Sequence, residues 1–413
     1  GQGRRSMSRT TTAEFTTFAD VNMRGRGRPI VLAGAGNIAD KTLRRISGVT
    51  AIVDNNPNLH GERQAGLIIA APDSLKDAAP RPFVVICTTS FVEVGEQLVS
   101  FGLIPGQDFV VSPVLNDLRI IAEMESLEET VLFTCGLPPL EDPEAGGGLY
   151  ELQISGANHS FRKVFKGNFH GLRPHGEHFI AIDDERGLIT FDRDYTILKS
   201  FALPQGARCH GVSWSEERRQ YFIACSYLDA ILVYSEQGEE IDRIPISPKQ
   251  ARTGSAQHHC NDILVLGDSV YLSMFSATGN WKRDVFDGVV LEYDLADRSW
   301  VGPVMSDLWM PHSIDFVDGS LVVLDSLRGR LLKNNAQSVG QFPGFARGLA
   351  HDGARFFIGQ SRNRNYSAAL GVSQNIAIDT AITVFDEHTK VSKSFHLPST
   401  VSEIHGIALN TKR

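Results

Sequence analysis

Six short motifs, each a histidine or arginine just ahead of an apolar run, recur through the last two-thirds of the chain. They read His170-Gly-Leu, His210-Gly-Val, His259-Cys-Asn-Asp-Ile, His312-Ser-Ile, Arg347-Gly-Leu and His405-Gly-Ile. Their separations are 40, 49, 53, 35 and 58 residues, the size of one four-stranded β-propeller blade with loops of variable length. A radial repeat brings one side chain per blade to a common axis. Five imidazoles and a guanidinium around that axis would form a site.

Between the motifs the pattern is one of short alternating strands separated by turns such as Glu-Gln-Gly and Val-Asp-Gly. One full set is Gly211–Trp214, Gln220–Cys225, Ile231–Tyr234 and Glu240–Ile246. Three strand signals (Val131–Cys135, Leu149–Ile154, Phe161–Phe165) precede the first motif, and one, Gly406–Leu409, follows the last. Three plus one completes a blade, so the C-terminal strand is expected to close a six-bladed ring and remove its exposed edges. If each motif opens the first strand of its blade, the loops after every second strand share its face. Those loops hold Asp183-Asp184-Glu185, Tyr227-Leu-Asp229, Arg328 and two long insertions, Ser276–Asp287 with Trp281 and Lys282, and 362–380. Loops beyond about 12 to 15 residues without structure of their own are often functional.

Residues 28–125 carry a different rhythm. The apolar run Ile30–Ala33 ends in Gly34-Ala-Gly36-Asn-Ile-Ala39, followed by a helical pattern, and a second strand, Val49–Val53, ends at Asp54. Further strands are expected at Leu67–Ala70, Phe83–Cys87 and Asp108–Val111, with an amphipathic helix over Val92–Phe101. This βαβ alternation implies a parallel sheet. A turn of this kind lets backbone N–H groups around Gly34, Gly36 and Asn37 approach a phosphate, with Asp54 placed for a ribose hydroxyl. The expected organisation is a flexible tail over 1–27, a short α/β Rossmann-like domain over 28–125 and an all-β six-bladed β-propeller over 126–413.

Two resemblances follow. Gly34-Ala-Gly36, a strand ending in Val-Asp-Asn and Gly102–Phe109 (Gly-x-x-Pro-Gly-x-Asp-Phe) resemble the short Rossmann-like domain at the front of nucleotide-sugar N-acyltransferases. That implies a nucleotide-sugar as readily as NAD(P). Met310-Pro-His312-Ser313, Asp325-Ser-Leu-Arg328-Gly-Arg-Leu, Pro343-Gly-Phe-Ala-Arg347-Gly-Leu and Gly359-Gln-Ser361-Arg362-Asn-Arg364 resemble an uncharacterised bacterial family of six-bladed propellers. Ile314-Asp315 departs from its pattern, where Pro-Arg is expected. The resemblance implies the fold and is silent on the reaction.

Neutral imidazoles converging on an axis suit a divalent transition metal such as Zn, Fe or Mn, so His170, His210, His259, His312 and His405 are expected as ligands. The competing readings are a metal-free ligand pocket and histidines that only bond backbone. Arg347 and Arg362 are candidate clamps for a carboxylate or phosphate. Glu403 is a candidate general base, and Asp262, next to Asn261, a candidate for orienting an imidazole. Cys209 and Cys260 are expected to be packed thiols.

The chain has 413 residues and a formal net charge of −8, which argues against a nucleic-acid surface. No apolar run is long enough to span a bilayer, and the five cysteines show no disulfide or CxxC spacing, so a cytoplasmic protein is expected. Nucleophile-elbow, P-loop and His-Glu-x-x-His motifs are absent. The expected function is a metal-dependent lyase, isomerase or epimerase acting on an anionic sugar or nucleotide-sugar. The alternatives are a non-catalytic propeller of glycan or polysaccharide assembly and an NAD-dependent oxidoreductase. An anionic small molecule is the expected partner, and homo-oligomerisation is left open.

Overall fold

The computed structural model describes residues 14–283, 285–334, 337–362 and 375–411. The chain divides between Leu127 and Glu128 into two compact units. No helix among the described residues is long and apolar enough to cross a membrane.

The front unit is built on a seven-stranded sheet in the order Glu14–Phe15, Phe109–Val111, Phe83–Ile86, Ile30–Ala33, Val49–Val53, Leu67–Ala70 and Arg63–Gln64. Every neighbouring pair is parallel except the last, which is antiparallel. The central strands are fully buried on both faces, which is why they read as unbroken apolar runs. The expected tail over 1–27 is corrected from residue 14 onward. Glu14–Phe15 forms an edge strand, and Thr17 caps the helix Phe18–Arg24 by accepting from the Asp20 N–H. Two apolar anchors fix this segment: Phe15 packs edge-on against Phe91, and Val21 is buried.

The second unit is a ring of six four-stranded antiparallel sheets. The first blade takes Glu128–Pro139, Gly146–Ser155 and Asn158–Lys166 from the start of the unit and Ile404–Leu409 from its end. Blades two to six are consecutive in sequence, and each innermost strand touches the next around the ring. Their innermost strands are Phe169–His175, Cys209–Ser215, Cys260–Leu266, Pro311–Val317 and Phe345–His351.

Every innermost strand carries a register break against its neighbour near its start. A β-bulge adds one unpaired residue and re-aims the side chains beside it. Aligned on the bulge, His170, His210, Arg347 and His405 are equivalent, but Asn261 and Ser313 take that place in blades four and five. His259 precedes it by two residues and His312 by one, so the expectation of one strand position for all five histidines is corrected. The neighbouring backbones leave no room at the bulge: a Cβ on Gly211 would stand 2.4 Å from the Asn261 carbonyl oxygen.

Candidate functional site: an axial well

The face on which the innermost strands begin opens into a well of about 470 Å³. His170, His210, His259, His312, His405, Arg347, Arg362 and Glu403 all line it. Asp262 lies deeper, below the histidines. It accepts from the Ile314 N–H at 2.7 Å and pairs with Arg173 at 3.1 Å, so it holds the floor rather than orienting an imidazole. Arg173 reaches across the axis, donating also to the carbonyls of Val212, Ile263 and Ile314. Four charge-assisted or carbonyl bonds on one guanidinium tie its own blade to the next three beneath the well. Arg328 is bound to Asp325 and stacks on Trp309. Arg364 lies outside the described residues.

The imidazoles fall into distinct chemical settings. His170 and His405 face each other, Nδ1 to Nδ1, at 3.1 Å. Nε2 of His170 is 2.8 Å from Asp184, and Nε2 of His405 is 3.3 Å from Glu403. An ionised carboxylate only accepts, so each Nε2 carries its hydrogen. The chain Asp184–His170–His405–Glu403 thus turns each Nε2 to a carboxylate and brings the two Nδ1 atoms together at one point between the rings. Glycine at 136 is required by contact, because a Cβ there would stand 1.9 Å from Cε1 of His405.

His210 stacks on His170, with ring centroids 4.7 Å apart, and its buried Nδ1 has no partner among the described residues. His312 donates from Nδ1 to the Met310 carbonyl at 2.8 Å, which leaves the lone pair at Nε2. His259, in left-handed backbone at φ +50°, stacks on Phe275 at 4.1 Å and meets Trp281 at 4.7 Å. Burial, aided by the charges of Arg347, Arg208 and Lys282, pushes His259 down to about 3. Burial first, then the neighbouring imidazoles and Arg347, holds His210 well below the usual histidine range. His312 is lowered in the same way, by burial and then by Arg347.

Among the described residues no three His, Cys, Asp or Glu side chains stand together as a metal-holding group. Sequence reasoning did not single out Asn168, Arg208, Phe275, Met310 and Phe345, which also line the well. Asn168, Arg208 and Met310 sit just before innermost strands, Phe275 just after the second strand of its blade and Phe345 at the start of an innermost strand, and the available signal was that shared face. Cys209 and Cys260 are buried free thiols, and Cys209 Sγ lies 2.9 Å from Cys225 Sγ.

In the front unit, Gly34 has a φ of +120°, and a Cβ on it would stand 2.7 Å from the Cys87 carbonyl oxygen. Gly36 caps the seven-residue helix Asn37–Leu43 in open space. Asp54 accepts from the Ala35 N–H at 2.9 Å and the Asn56 N–H at 2.8 Å. Its carboxylate pins the turn.

Fold and site together define a six-bladed propeller with an ionic, imidazole-rich axial well. Residues 256–412 match the family described as "Domain of unknown function (DUF4915)", which supports an uncharacterised propeller family. No curated protein matches the chain. Similar solved structures include a chain of a nidogen/laminin complex, with 12% identity, 69% of this chain and 98% of that chain covered, and a TM-score of 0.48. A protein of unknown function from Bacteroides caccae shows 14% identity over 68% and 99% of the two chains, with a TM-score of 0.47. A protein from Lactobacillus plantarum shows 11% identity over 68% and 99%, with a TM-score of 0.43. Likeness at this level carries no argument about function.

Proposed function

We propose that the propeller is an acid–base enzyme that acts on a small anionic molecule in the axial well. The observation that carries this reading is the Asp184–His170–His405–Glu403 chain at the wall of the cavity. Two imidazoles that meet at Nδ1, each backed by a carboxylate, can give a hydrogen and take one back. Arg347 lines the same well and supplies the positive charge that an anionic substrate needs. His210, His259 and His312, kept neutral by burial, accept or donate single hydrogen bonds without adding charge. Proton abstraction and return beside a carboxylate is the step that a lyase, isomerase or epimerase shares.

The test is exchange in D₂O, followed by proton NMR, over a panel of hexuronates and aldonates. The reading expects wash-in at the carbon next to the carboxylate, lost by a factor of about 100 or more in His170→Asn and His405→Asn. Binding without exchange for any panel member would favour the non-catalytic propeller. A metal-dependent form of the reaction remains the competing proposal. Elemental analysis of untagged protein would favour it if a stoichiometric divalent ion were found and lost in three of the five histidine-to-alanine variants.

For the front unit, the parallel sheet and the turn at Gly34 support a Rossmann-like reading. A nucleotide held there is a proposal that calorimetry with NAD(H), NADP(H) and nucleotide-sugars tests. The bonds from Asp54 to its own turn weigh against the ribose role.

A further inference from the structure

The well has two unlike sides. Blades one and two contribute the polar or ionic Glu403, His405, Asn168, His170 and Asp184, beside Leu137, Pro138 and Ile404. Blades four and five contribute His259, Phe275, Trp281, Met310 and His312, and Phe345 of blade six continues that wall. In a closed ring of six blades, the pair one–two lies diametrically opposite the pair four–five. A ligand at the axis therefore meets the His170–His405 pair with its carboxylates on one side and an aromatic wall on the other.

The wall is continuous with the protein interior. Phe275 and Met310 form a buried apolar cluster with Leu327, against which Trp281, Trp309 and Phe345 pack. The Trp281 loop is held by Asp287, which accepts from Ser276 and Thr278. At the well, Trp281 Nε1 is a buried donor with no partner among the described residues, and Asn168 Oδ1 is a buried acceptor in the same condition. An indole hydrogen on one side and an amide oxygen on the other call for a ligand with hydroxyl groups around its rim. The faces of aromatic rings carry negative charge density and attract the polarised C–H hydrogens of a sugar ring.

We infer that the substrate is an acidic pyranose, of the hexuronate class, seated with its C–H face on the aromatic wall at Trp281, which Phe275 and His259 back. Its carboxylate and hydroxyl rim then point toward Arg347 and the His170–His405 pair. This assignment rests on the acid–base reading of the well and adds the class and orientation of the substrate. A small acid without a ring would leave the aromatic wall wet, and a flat aromatic acid would leave the rim groups unmatched.

Calorimetry on the full chain tests it with D-galacturonate, digalacturonate, acetate, 4-hydroxybenzoate and uridine monophosphate as probes. A uronate is expected to bind more tightly than acetate by about tenfold or more. Phe275→Leu and Trp281→Leu should each weaken uronate binding by about tenfold, while Trp281→Phe, which keeps an aromatic face but loses the N–H and part of the ring area, should cost less. Circular dichroism and melting curves establish that each variant is folded. Uronates that bind no better than acetate, or wall variants that bind like wild type, would overturn the inference. Tighter binding of 4-hydroxybenzoate or uridine monophosphate would overturn the pyranose class. If acids bind and Arg347→Met abolishes binding while the wall variants change nothing, the acid–base reading survives and this inference fails. If no acid binds, the acid–base reading falls first.

Discussion

Acidification should drain the stability of the propeller well above the carboxylate range, because its well keeps imidazoles neutral. His210 and His312 are held well below their ordinary pKa and His259 is held at about 3, in each case chiefly by burial. An imidazole that is neutral in the fold binds fewer protons than it does in the unfolded chain, so its contribution is complete above about pH 6.5 and is lost as pH falls toward the folded value. For His259, with an unfolded pKa of about 6.5, this amounts to roughly 2 kcal/mol between pH 7 and pH 5, and His210 and His312 add losses of the same sign. Below about pH 5 the slope lessens, because burial raises the folded pKa of Asp315, Asp325 and Glu129, which take up protons in the fold. The assay is urea unfolding at pH 7, 6 and 5 followed by tryptophan fluorescence. All four tryptophans (Trp214, Trp281, Trp300 and Trp309) lie in the propeller. His210→Asn should reduce the loss between pH 7 and pH 5. Wild-type stability that changes by less than about 1 kcal/mol over this range, or a variant with an unchanged slope, would refute the reasoning.

Gly136→Ala should displace the His405 ring while leaving the blade folded, and proton exchange at the substrate should fall with little change in melting temperature. Arg173→Met should lower stability by roughly 2–4 kcal/mol in urea titration, because it strips Asp262 and three carbonyls of their shared donor. Removal of residues from Val401 onward deletes the innermost strand of the first blade and exposes the edge of Glu128–Pro139. Size-exclusion chromatography should then show aggregation, and an unchanged monomeric, cooperative melt would mean that closure is dispensable.

The sequence by itself determined the six-fold repeat, the three-plus-one strand count of the first blade and the face on which the chemistry gathers. These are consequences of local periodicity: a strand pattern of period two, turns at short intervals and one marked residue per blade. Alternation of strand direction then assigns every loop to a face without knowledge of any contact. It also marked Arg347, Arg362 and Glu403, all of which line the well. The tertiary structure alone decided how the marked residues meet. The bulges set blades four and five out of step, placing Asn261 and Ser313 where His259 and His312 were expected, and no repeat spacing records a bulge. The facing of His170 and His405, 235 residues apart, depends on closure of the ring. So do the burial of His210 among three other imidazoles and the reach of Arg173 to Asp262 and Ile314. Asp262 looked like a partner for a histidine because it stands three residues from one in the chain. Three residues along an extended innermost strand carried it below the histidines, where the nearest opposite charge is Arg173 from a different blade.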